Sequence, residues 1–308
     1  MPERLQVSSF PVTDMDKVIL GIDIGGTWFR IGAVDCQGQI RSFEKLPVKQ
    51  VFTGKDPLGE LESFLRPYLA SWNVSAVCIG VPATVNAKRT VVLQAPNLAY
   101  LENLPLVEVL EHKLGVAVLL ERDVNFTMAY DCRDLPKEAI LCGFYFGTGI
   151  GNAIMIDGKI LVGKNGTAGE LGHIPVDGYE ETCGCGNIGC IEPIAGGKYL
   201  ARIQKEAFPD TPVAELFTRH GGDERLCRFI DRMAIAVATE VNLLDPDGIL
   251  LGGGVIAMAD FPREALVDRI LLHARKPFPA ENLKVLFPQD FEEKTVLGAA
   301  IYGWNAMK

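Results

Sequence analysis

The first part of the chain alternates short apolar runs with turn residues. Residues 18–23 and 29–34 are apolar runs on either side of Gly25, Gly26 and Thr27, which predicts two strands joined by a tight glycine turn. The following elements are predicted as helices at 58–69 and 106–114 and strands at 76–81 and 116–120. This alternation is typical of an α/β layer fold.

The same pattern starts again in the second half of the chain. A predicted strand at 139–146 leads into a glycine-rich turn at 147–151 and a returning strand at 152–156, a weak repeat of residues 18–34 at a separation of about 124 positions. Such a repeat predicts two related lobes that face each other across a cleft. The later elements are predicted as helices at 197–207, 224–244, 262–274 and 295–307 and a strand at 249–251.

These elements divide the chain into three parts. Residues 1–17 form a polar leader, residues 18–120 an N-terminal lobe and residues 121–308 a C-terminal lobe. A length of 308 residues agrees with about two domains. The last helix, about 295–308, is apolar enough to pack on the N-terminal lobe.

Composition excludes several classes of protein. Apolar residues make up 48% of the chain and charged residues 22%, which are values of an ordinary folded protein. Lys and Arg number 30 against 39 Asp and Glu, and the net charge of −9 disfavours a nucleic-acid partner. No apolar run approaches the roughly 18 residues of a membrane span, and the leader has no apolar signal core. We therefore expect a cytoplasmic protein without a membrane partner.

Three glycine loops follow predicted strands. Their backbone N–H groups and Thr hydroxyls could bind phosphate oxygens, although any one of them is equally well explained as an ordinary hairpin turn. Together they favour a nucleotide, while neither a Walker pattern nor a Gly-x-Gly-x-x-Gly helix start is present. The candidate residues are Asp23, Gly25, Gly26, Thr27, Gly147, Thr148, Gly149, Gly252, Gly253 and Gly254.

A zinc site is indicated by three closely spaced cysteines. Cys183, Cys185 and Cys190 could supply three thiolates from one loop, and His173 lies ten residues before Cys183. One His and three Cys form a closed tetrahedral set, typical of structural rather than catalytic zinc. The alternative is three reduced thiols without a metal.

The candidate general base is Asp123. It follows a predicted strand and could lie in the cleft, but its position alone favours a cap on the helix that follows. Glu170 and Glu192 flank the cysteine loop. Both could be surface carboxylates, or could accept hydrogen bonds from sugar hydroxyls if zinc orders the loop.

Taken together, these motifs resemble the ROK family of sugar kinases and repressors, within the larger group of actin-like, ribonuclease H-like ATPases. The resemblance extends from residue 18 to the C-terminus, and its most specific parts are residues 169–173 and 183–192. It implies a two-lobed actin-like α/β fold with a central nucleotide and sugar cleft. It also implies a kinase that uses ATP, Mg²⁺ and a structural Zn²⁺.

The resemblance assigns roles to individual residues. Asp123 corresponds to the catalytic base, and the sugar-binding positions correspond to Asn97, Glu170, His173 and Glu192. Asp23 and the two Gly-Thr loops correspond to the phosphate and magnesium region. Residues 252–254 would lie beside the adenosine.

Arg122 departs from the family pattern, in which Asn precedes the base. Together with residues 249–266 it resembles the allose kinase-like subgroup, so we expect a hexose kinase that acts on the 6-hydroxyl and favours D-allose, with Arg122 as a further candidate sugar contact. Glucokinase, fructokinase and N-acetylmannosamine kinase activities are alternatives, as are a sugar-sensing repressor and a non-catalytic sugar-binding protein. The expected partners are a small-molecule sugar and a second copy of the chain in a homodimer.

Overall fold

The computed structural model describes residues 16–307, so the predicted leader, residues 1–17, lies almost entirely outside the described part of the chain. The strands are β1 (Lys17–Ile24), β2 (Trp28–Asp35), β3 (Ile40–Pro47), β4 (Asn73–Val81), β5 (Thr84–Val85), β6 (Val92–Gln94), β7 (Ala117–Arg122), β8 (Leu141–Phe146), β9 (Ile150–Ile156), β10 (Lys159–Ile160), β11 (Gly248–Gly252) and β12 (Val285–Leu286). The helices are α1 (Pro57–Ser71), α2 (Leu106–Leu114), α3 (Asp123–Asp131), α4 (Glu192–Ala195), α5 (Gly197–Ala207), α6 (Leu216–His220), α7 (Glu224–Leu244), α8 (Arg263–His273) and α9 (Lys294–Ala306).

The first unit is built on a five-stranded mixed sheet in the order β3-β2-β1-β4-β7. β1 pairs antiparallel with β2, as the glycine turn predicts, and parallel with β4, which in turn pairs parallel with β7. The carboxyl ends of β1, β4 and β7 therefore meet at one edge of the sheet. In α/β sheets this edge is the usual place for a ligand.

Side chains of β1 alternate between two apolar layers. Ile19 belongs to a layer that includes Phe126 of α3 and Val296 of α9, whereas Leu20 belongs to the layer that includes residues of α1 and α2. Both faces of the sheet are covered, which explains the nearly continuous apolar run of β1. Gly21 allows the close approach of α9, because a Cβ at this position would lie 2.4 Å from the carbonyl oxygen of Val296.

The second unit repeats this topology. Its five-stranded sheet has the order β10-β9-β8-β11-β12, with β8 antiparallel to β9 and parallel to β11. Phe144 of β8, Phe229 of α7 and Leu266 of α8 lie in its fully buried core. The internal repeat seen in the sequence is thus a repeat of a strand-turn-strand unit in two sheets of the same order.

The chain divides between Tyr130 and Asp131, one helix later than the predicted boundary near residue 120. The reason is that β7 completes the first sheet and α3 packs in the same core. A Cβ on Gly298 of α9 would lie 1.8 Å from the carbonyl oxygen of Phe126 in α3. Residues 293–307 also belong to the first unit. Across residues 16–307, we find no helix with the length and apolar character that a membrane crossing needs.

Candidate functional sites

In the first unit, Asp23 lies near the carboxyl end of β1. The turn that follows is closed by a hydrogen bond from the Gly25 N–H to the carbonyl oxygen of Trp28, 2.8 Å long. Arg30 is the register partner of Asp23 on β2, and its Nη1 donates to Asp23 Oδ2 at 2.8 Å. The chain thus holds a carboxylate, only 7% exposed, and a guanidinium directly behind the glycine turn.

Asp123 begins α3 immediately after β7. Its Oδ1 accepts a hydrogen bond from the Val124 N–H at 2.7 Å, and the residue is half-buried. Burial raises the pKa of Asp123, although the Val124 N–H and the neighbouring Arg122 guanidinium lower it. A carboxylate with a raised pKa accepts a proton more readily, so a position at the helix start and a role as a base are compatible.

The two carboxylates, Asp23 and Asp123, influence each other. The pKa of Asp23 is raised from 3.8 to about 6, mainly by burial and then by the negative charge of Asp123, while Arg30 opposes the shift. Pairs of acidic groups with perturbed pKa values are common in active sites. The structure therefore brings the predicted phosphate-region carboxylate near the predicted base.

Two further predicted residues lie at the same edge. Asn97 packs against the glycine turn: a Cβ on Gly26 would lie only 3.0 Å from the Asn97 Cβ. Arg122, the last residue of β7, is only 7% exposed. Asp23, Gly26, Asn97, Arg122 and Asp123 are thus brought together, although they come from separate parts of the sequence.

Asp23 makes the free energy of unfolding depend on pH. Its pKa is about 6 in the folded chain and 3.8 when solvated, so between these values the folded chain retains a proton that the unfolded chain has released. The resulting stabilisation is fully present below about pH 4 and is lost as the pH rises to about 6. We expect the unfolding free energy of the wild type, relative to Asp23→Asn, to fall across this range in urea titrations. A difference that does not vary with pH would show that the pKa of Asp23 is not raised.

In the second unit, two glycine loops follow neighbouring strands. β8 leads into the loop Gly147–Gly149, and β11 ends at Gly252, the first residue of the loop Gly252–Gly254. The two strands are parallel neighbours, with Tyr145 paired to Gly252. Gly253 has φ +92°, and a Cβ there would lie 2.6 Å from the carbonyl oxygen of Phe146. No described atom lies within 4 Å of a Cβ added to Gly147 or Gly254. The two loops therefore leave open backbone at one edge of the sheet.

The Gly147 loop is held by α5 and Glu192. The N–H groups of Gly197 and Lys198 donate to the carbonyl oxygens of Gly147 and Thr148 at 2.8 and 3.0 Å. Glu192 Oε2 accepts from the Ile150 N–H at 2.9 Å. A Cβ on Gly149 would lie 2.3 Å from Glu192 Oε2, so a larger residue at this position would displace the carboxylate. One oxygen of the predicted sugar ligand Glu192 thus orders the phosphate-loop candidate.

The predicted zinc ligands form one cluster. One donor atom from each of His173, Cys183, Cys185 and Cys190 lies within 4.8 Å of all the others. His173 Nδ1 is 3.5 Å from Cys183 Sγ, and Cys185 Sγ is 3.7 Å from Cys190 Sγ. A tetrahedron with zinc–sulfur and zinc–nitrogen bonds of usual length has edges of about 3.5–3.8 Å. The donor set and its spacing therefore fit a tetrahedral Zn²⁺.

Local structure around the cysteines supports the same geometry. The Cys183 N–H donates to the carbonyl oxygen of Asn187, and the Gly186 N–H donates back to that of Cys183, which closes a tight loop. A backbone hydrogen bond involving Asn187 lowers the pKa of the Cys185 thiol. His173 Nε2 lies 3.5 Å from Glu170 Oε2. Glu170 is thus placed to orient the imidazole so that Nδ1 faces the thiols.

Some residues of these sites were not identified from the sequence. Arg30 could have been found, because a hairpin centred on Gly26 and Thr27 pairs it with Asp23. No motif near Glu121 or Arg89 in the sequence indicates that these two residues belong to the site.

Two mixed five-stranded sheets of equal topology, with glycine loops at their strand ends, define the class of protein. It is an α/β protein with the actin-like, ribonuclease H-like ATPase fold, which confirms the predicted fold class. Residues 19–304 match the ROK family model, and the chain belongs to the ROK family.

Several characterised proteins are similar over nearly the full chain. A glucokinase from Thermotoga maritima is 25% identical over 92% of this chain and 96% of its own length. An N-acetylmannosamine kinase from Shigella flexneri is 28% identical over 92% of this chain and 97% of its own. The crystal structure of a ROK family glucokinase from Streptomyces griseus, in complex with glucose and AMPPNP, is 28% identical, with a TM-score of 0.72 and coverage of 92% of this chain and 98% of that one.

Proposed function

We propose that this chain is a hexose kinase that transfers the γ-phosphoryl group of ATP to a free sugar, with the 6-hydroxyl as acceptor and D-allose as the favoured substrate. The coarser activity, phosphoryl transfer from ATP to a sugar, is supported by family membership and by the sugar kinase relatives. The observation that carries the proposal is the half-buried Asp123 beside Asp23, Asn97 and the glycine turn.

Asp123 is the general base of the proposed reaction. Its carboxylate accepts the proton of the attacking sugar hydroxyl as that oxygen bonds to the γ-phosphorus and ADP leaves in line. Burial raises the pKa of Asp123, which strengthens the base, while the Arg122 charge opposes that rise. Such transfers depend mainly on positioning and charge neutralisation, so the base acts chiefly by orienting the hydroxyl.

The remaining predicted residues divide by chemistry. Amide, guanidinium, carboxylate and imidazole groups can hydrogen-bond sugar hydroxyls, and we assign this role to Asn97, Arg122, Glu170, His173 and Glu192. Backbone N–H groups and hydroxyls suit phosphates, and we assign them to residues 25–27 and 147–149, with residues 252–254 beside the adenosine.

Asp23 is our candidate for holding Mg²⁺. Carboxylate oxygens are the ligands that Mg²⁺ prefers, and Asp23 lies directly behind the glycine turn with Asp123 close enough to raise its pKa. When bound, the ion would neutralise phosphate charge. Arg30 keeps Asp23 partly neutralised in the absence of the ion.

Zinc is proposed as a structural ion at His173, Cys183, Cys185 and Cys190. All four tetrahedral positions would be filled by side chains, so the ion has no place for a reactive water. It would hold residues 183–190 and His173 together, and through His173 it would keep Glu170 in place. We also expect a homodimer in the cytoplasm.

Substrate preference tests the finer part of the proposal. Allose differs from glucose only in the axial hydroxyl at C3, and an Arg122 side chain that turns away from C3, where relatives have Asn, would leave room for that hydroxyl beside Asn97. We expect a higher kcat/KM for allose than for glucose, and Arg122→Asn should shift the ratio toward glucose. Size exclusion alone yields roughly 10–200-fold discrimination, and unpaired polar groups yield more.

A coupled assay that detects ADP, run with allose, glucose, mannose, fructose and N-acetylmannosamine, makes this measurement. Arg66→Asn is a matched control, since Arg66 lies on the outer surface of α1 and pairs with Glu62. A wild-type preference for glucose or fructose would overturn the allose assignment and leave the hexose kinase proposal. Absence of turnover with every sugar would favour a sugar-sensing or non-catalytic role.

A further inference from the structure

Glu121 is a fully buried carboxylate two residues before the proposed base. Its Oε1 accepts hydrogen bonds from the Arg122 N–H at 2.7 Å and from Asn125 Nδ2 at 2.8 Å. These two bonds hold the junction between β7 and α3, where the chain changes from strand to helix. Asp123 lies inside this junction, so its placement depends on Glu121.

The charge of Glu121 is matched by Arg89. The Arg89 Nε lies 3.2 Å from Glu121 Oε2, and the side chains are 13% and 0% exposed. Tyr302 of α9 is also close to Glu121. Burial and the Glu121 carboxylate raise the pKa of the Tyr302 hydroxyl to about 12. A buried carboxylate without a cation would be strongly destabilised, so Arg89 supplies the countercharge that Glu121 needs inside the fold.

Arg89 occupies an unusual backbone position. It lies in the turn between β5 and β6 with φ +56°, a left-handed conformation that glycine adopts far more readily than arginine. The turn is closed by the Arg89 N–H, which donates to the carbonyl oxygen of Asn86 at 2.9 Å. An arginine at a position that favours glycine points to a role for its side chain.

The β5–β6 hairpin also leads to the proposed sugar ligand. β6 ends at Gln94, three residues before Asn97. The Arg89–Glu121 pair therefore joins the segment that carries Asn97 to the junction that carries Asp123. Both segments belong to the first unit, and they are distant in sequence.

We propose that Arg89 is a positioning residue, which through its ion pair with Glu121 sets the Asp123 carboxylate relative to the sugar held by Asn97. This inference rests on the proposed role of Asp123 as the base. In this role Arg89 acts through Glu121 and not on the reacting atoms. Its loss should act on the sugar and on kcat. The loops at 147–149 and 252–254 belong to the other unit, and the phosphate loop at 25–27 is closed by its own backbone hydrogen bond, so ATP binding should change little.

Arg89→Met removes the charge but keeps much of the side-chain length. We expect kcat/KM for the sugar to fall about 10- to 100-fold, because a displacement near 1 Å at a reacting group has effects of this size. The KM for ATP should change less than about twofold, whereas a general loss of folding would affect both substrates. Arg89→Lys keeps the charge and should restore part of the sugar kinetics.

Glu121→Gln completes a double-mutant cycle. Alone it leaves Arg89 buried without its partner, while Gln Oε1 can still accept from the Arg122 N–H. Combined with Arg89→Met, it removes both charges, so the double variant should be less impaired than the two single effects predict. Additive effects would overturn the proposal. The cycle and Arg89→Lys remain informative even if Arg89→Met folds poorly.

Arg66→Met serves as the matched control, with an exposed ion pair in the same unit, and should leave all constants unchanged. Unchanged sugar kinetics in folded Arg89→Met, or an equal rise in both KM values, would overturn the positioning role. Asp123→Asn is measured alongside. If it retains normal kcat, the proposed base is wrong; if it fails while Arg89→Met is normal, only the positioning role is wrong.

Discussion

Asp123→Asn should lower kcat by roughly 10²–10⁴-fold, the usual contribution of general-base catalysis. Asn has nearly the same size and its carbonyl oxygen can accept the Val124 N–H as Asp123 Oδ1 does, so α3 should still begin at residue 123. It cannot accept the proton of the sugar hydroxyl. Sugar and ATP dissociation constants should change little, and steady-state kinetics combined with calorimetric binding would measure both.

A surface aspartate provides the control for this variant. Asp134 is highly exposed and its ion pair with Arg133 lies on the surface, so Asp134→Asn should leave kcat unchanged. Near-normal kcat in well-folded Asp123→Asn would assign Asp123 to the helix start alone. Loss of binding together with kcat would instead indicate that the variant disturbs the sugar site.

About one zinc per chain should be found by elemental analysis, because one imidazole and three thiols at tetrahedral spacing leave no position for a weaker ligand. Cys185→Ser should reduce the zinc content to near zero and lower the thermal unfolding midpoint. His173 is a proposed ligand of both zinc and sugar, so the sugar KM should rise more than the ATP KM.

Cys227→Ser is the matched control, since Cys227 is an exposed cysteine of the same unit outside the cluster. It should retain zinc, stability and both KM values. Full zinc occupancy in Cys183→Ser or Cys190→Ser would show that the ligand set is wrong. If the chain is fully active without zinc, the three cysteines are free thiols that bind no metal.

Features with short sequence separation were predictable. The β1–β2 and β8–β9 hairpins follow from apolar runs on either side of glycine turns, and the cluster of His173 and three cysteines follows from their spacing in the sequence. In each case neighbours in sequence are also neighbours in space, so local pattern and tertiary structure agree.

Features that depend on packing between distant segments were not predictable from the sequence. The unit boundary falls after Tyr130 because Phe126 packs against the last helix, a contact that no local pattern near residue 120 reveals. Arg89 and Glu121 are both ordinary charged residues in the sequence, in a turn and a strand, and become partners only when the hairpin packs beside β7.

The sequence by itself thus determined the α/β class, the repeated hairpins, the candidate ligand types and the family resemblance, because periodicity and short-range spacing encode them. Only the tertiary structure decided which candidates lie together. Asp23 and Asp123 meet at one edge because parallel strands align their carboxyl ends, and Asn97 joins them because the segment after β6 packs against Gly26. Glu192 meets the Gly147 loop because α4 packs beside it. The raised pKa of Asp23 likewise arises only in the folded chain, since burial and the nearby Asp123 charge do not exist before the sheet forms.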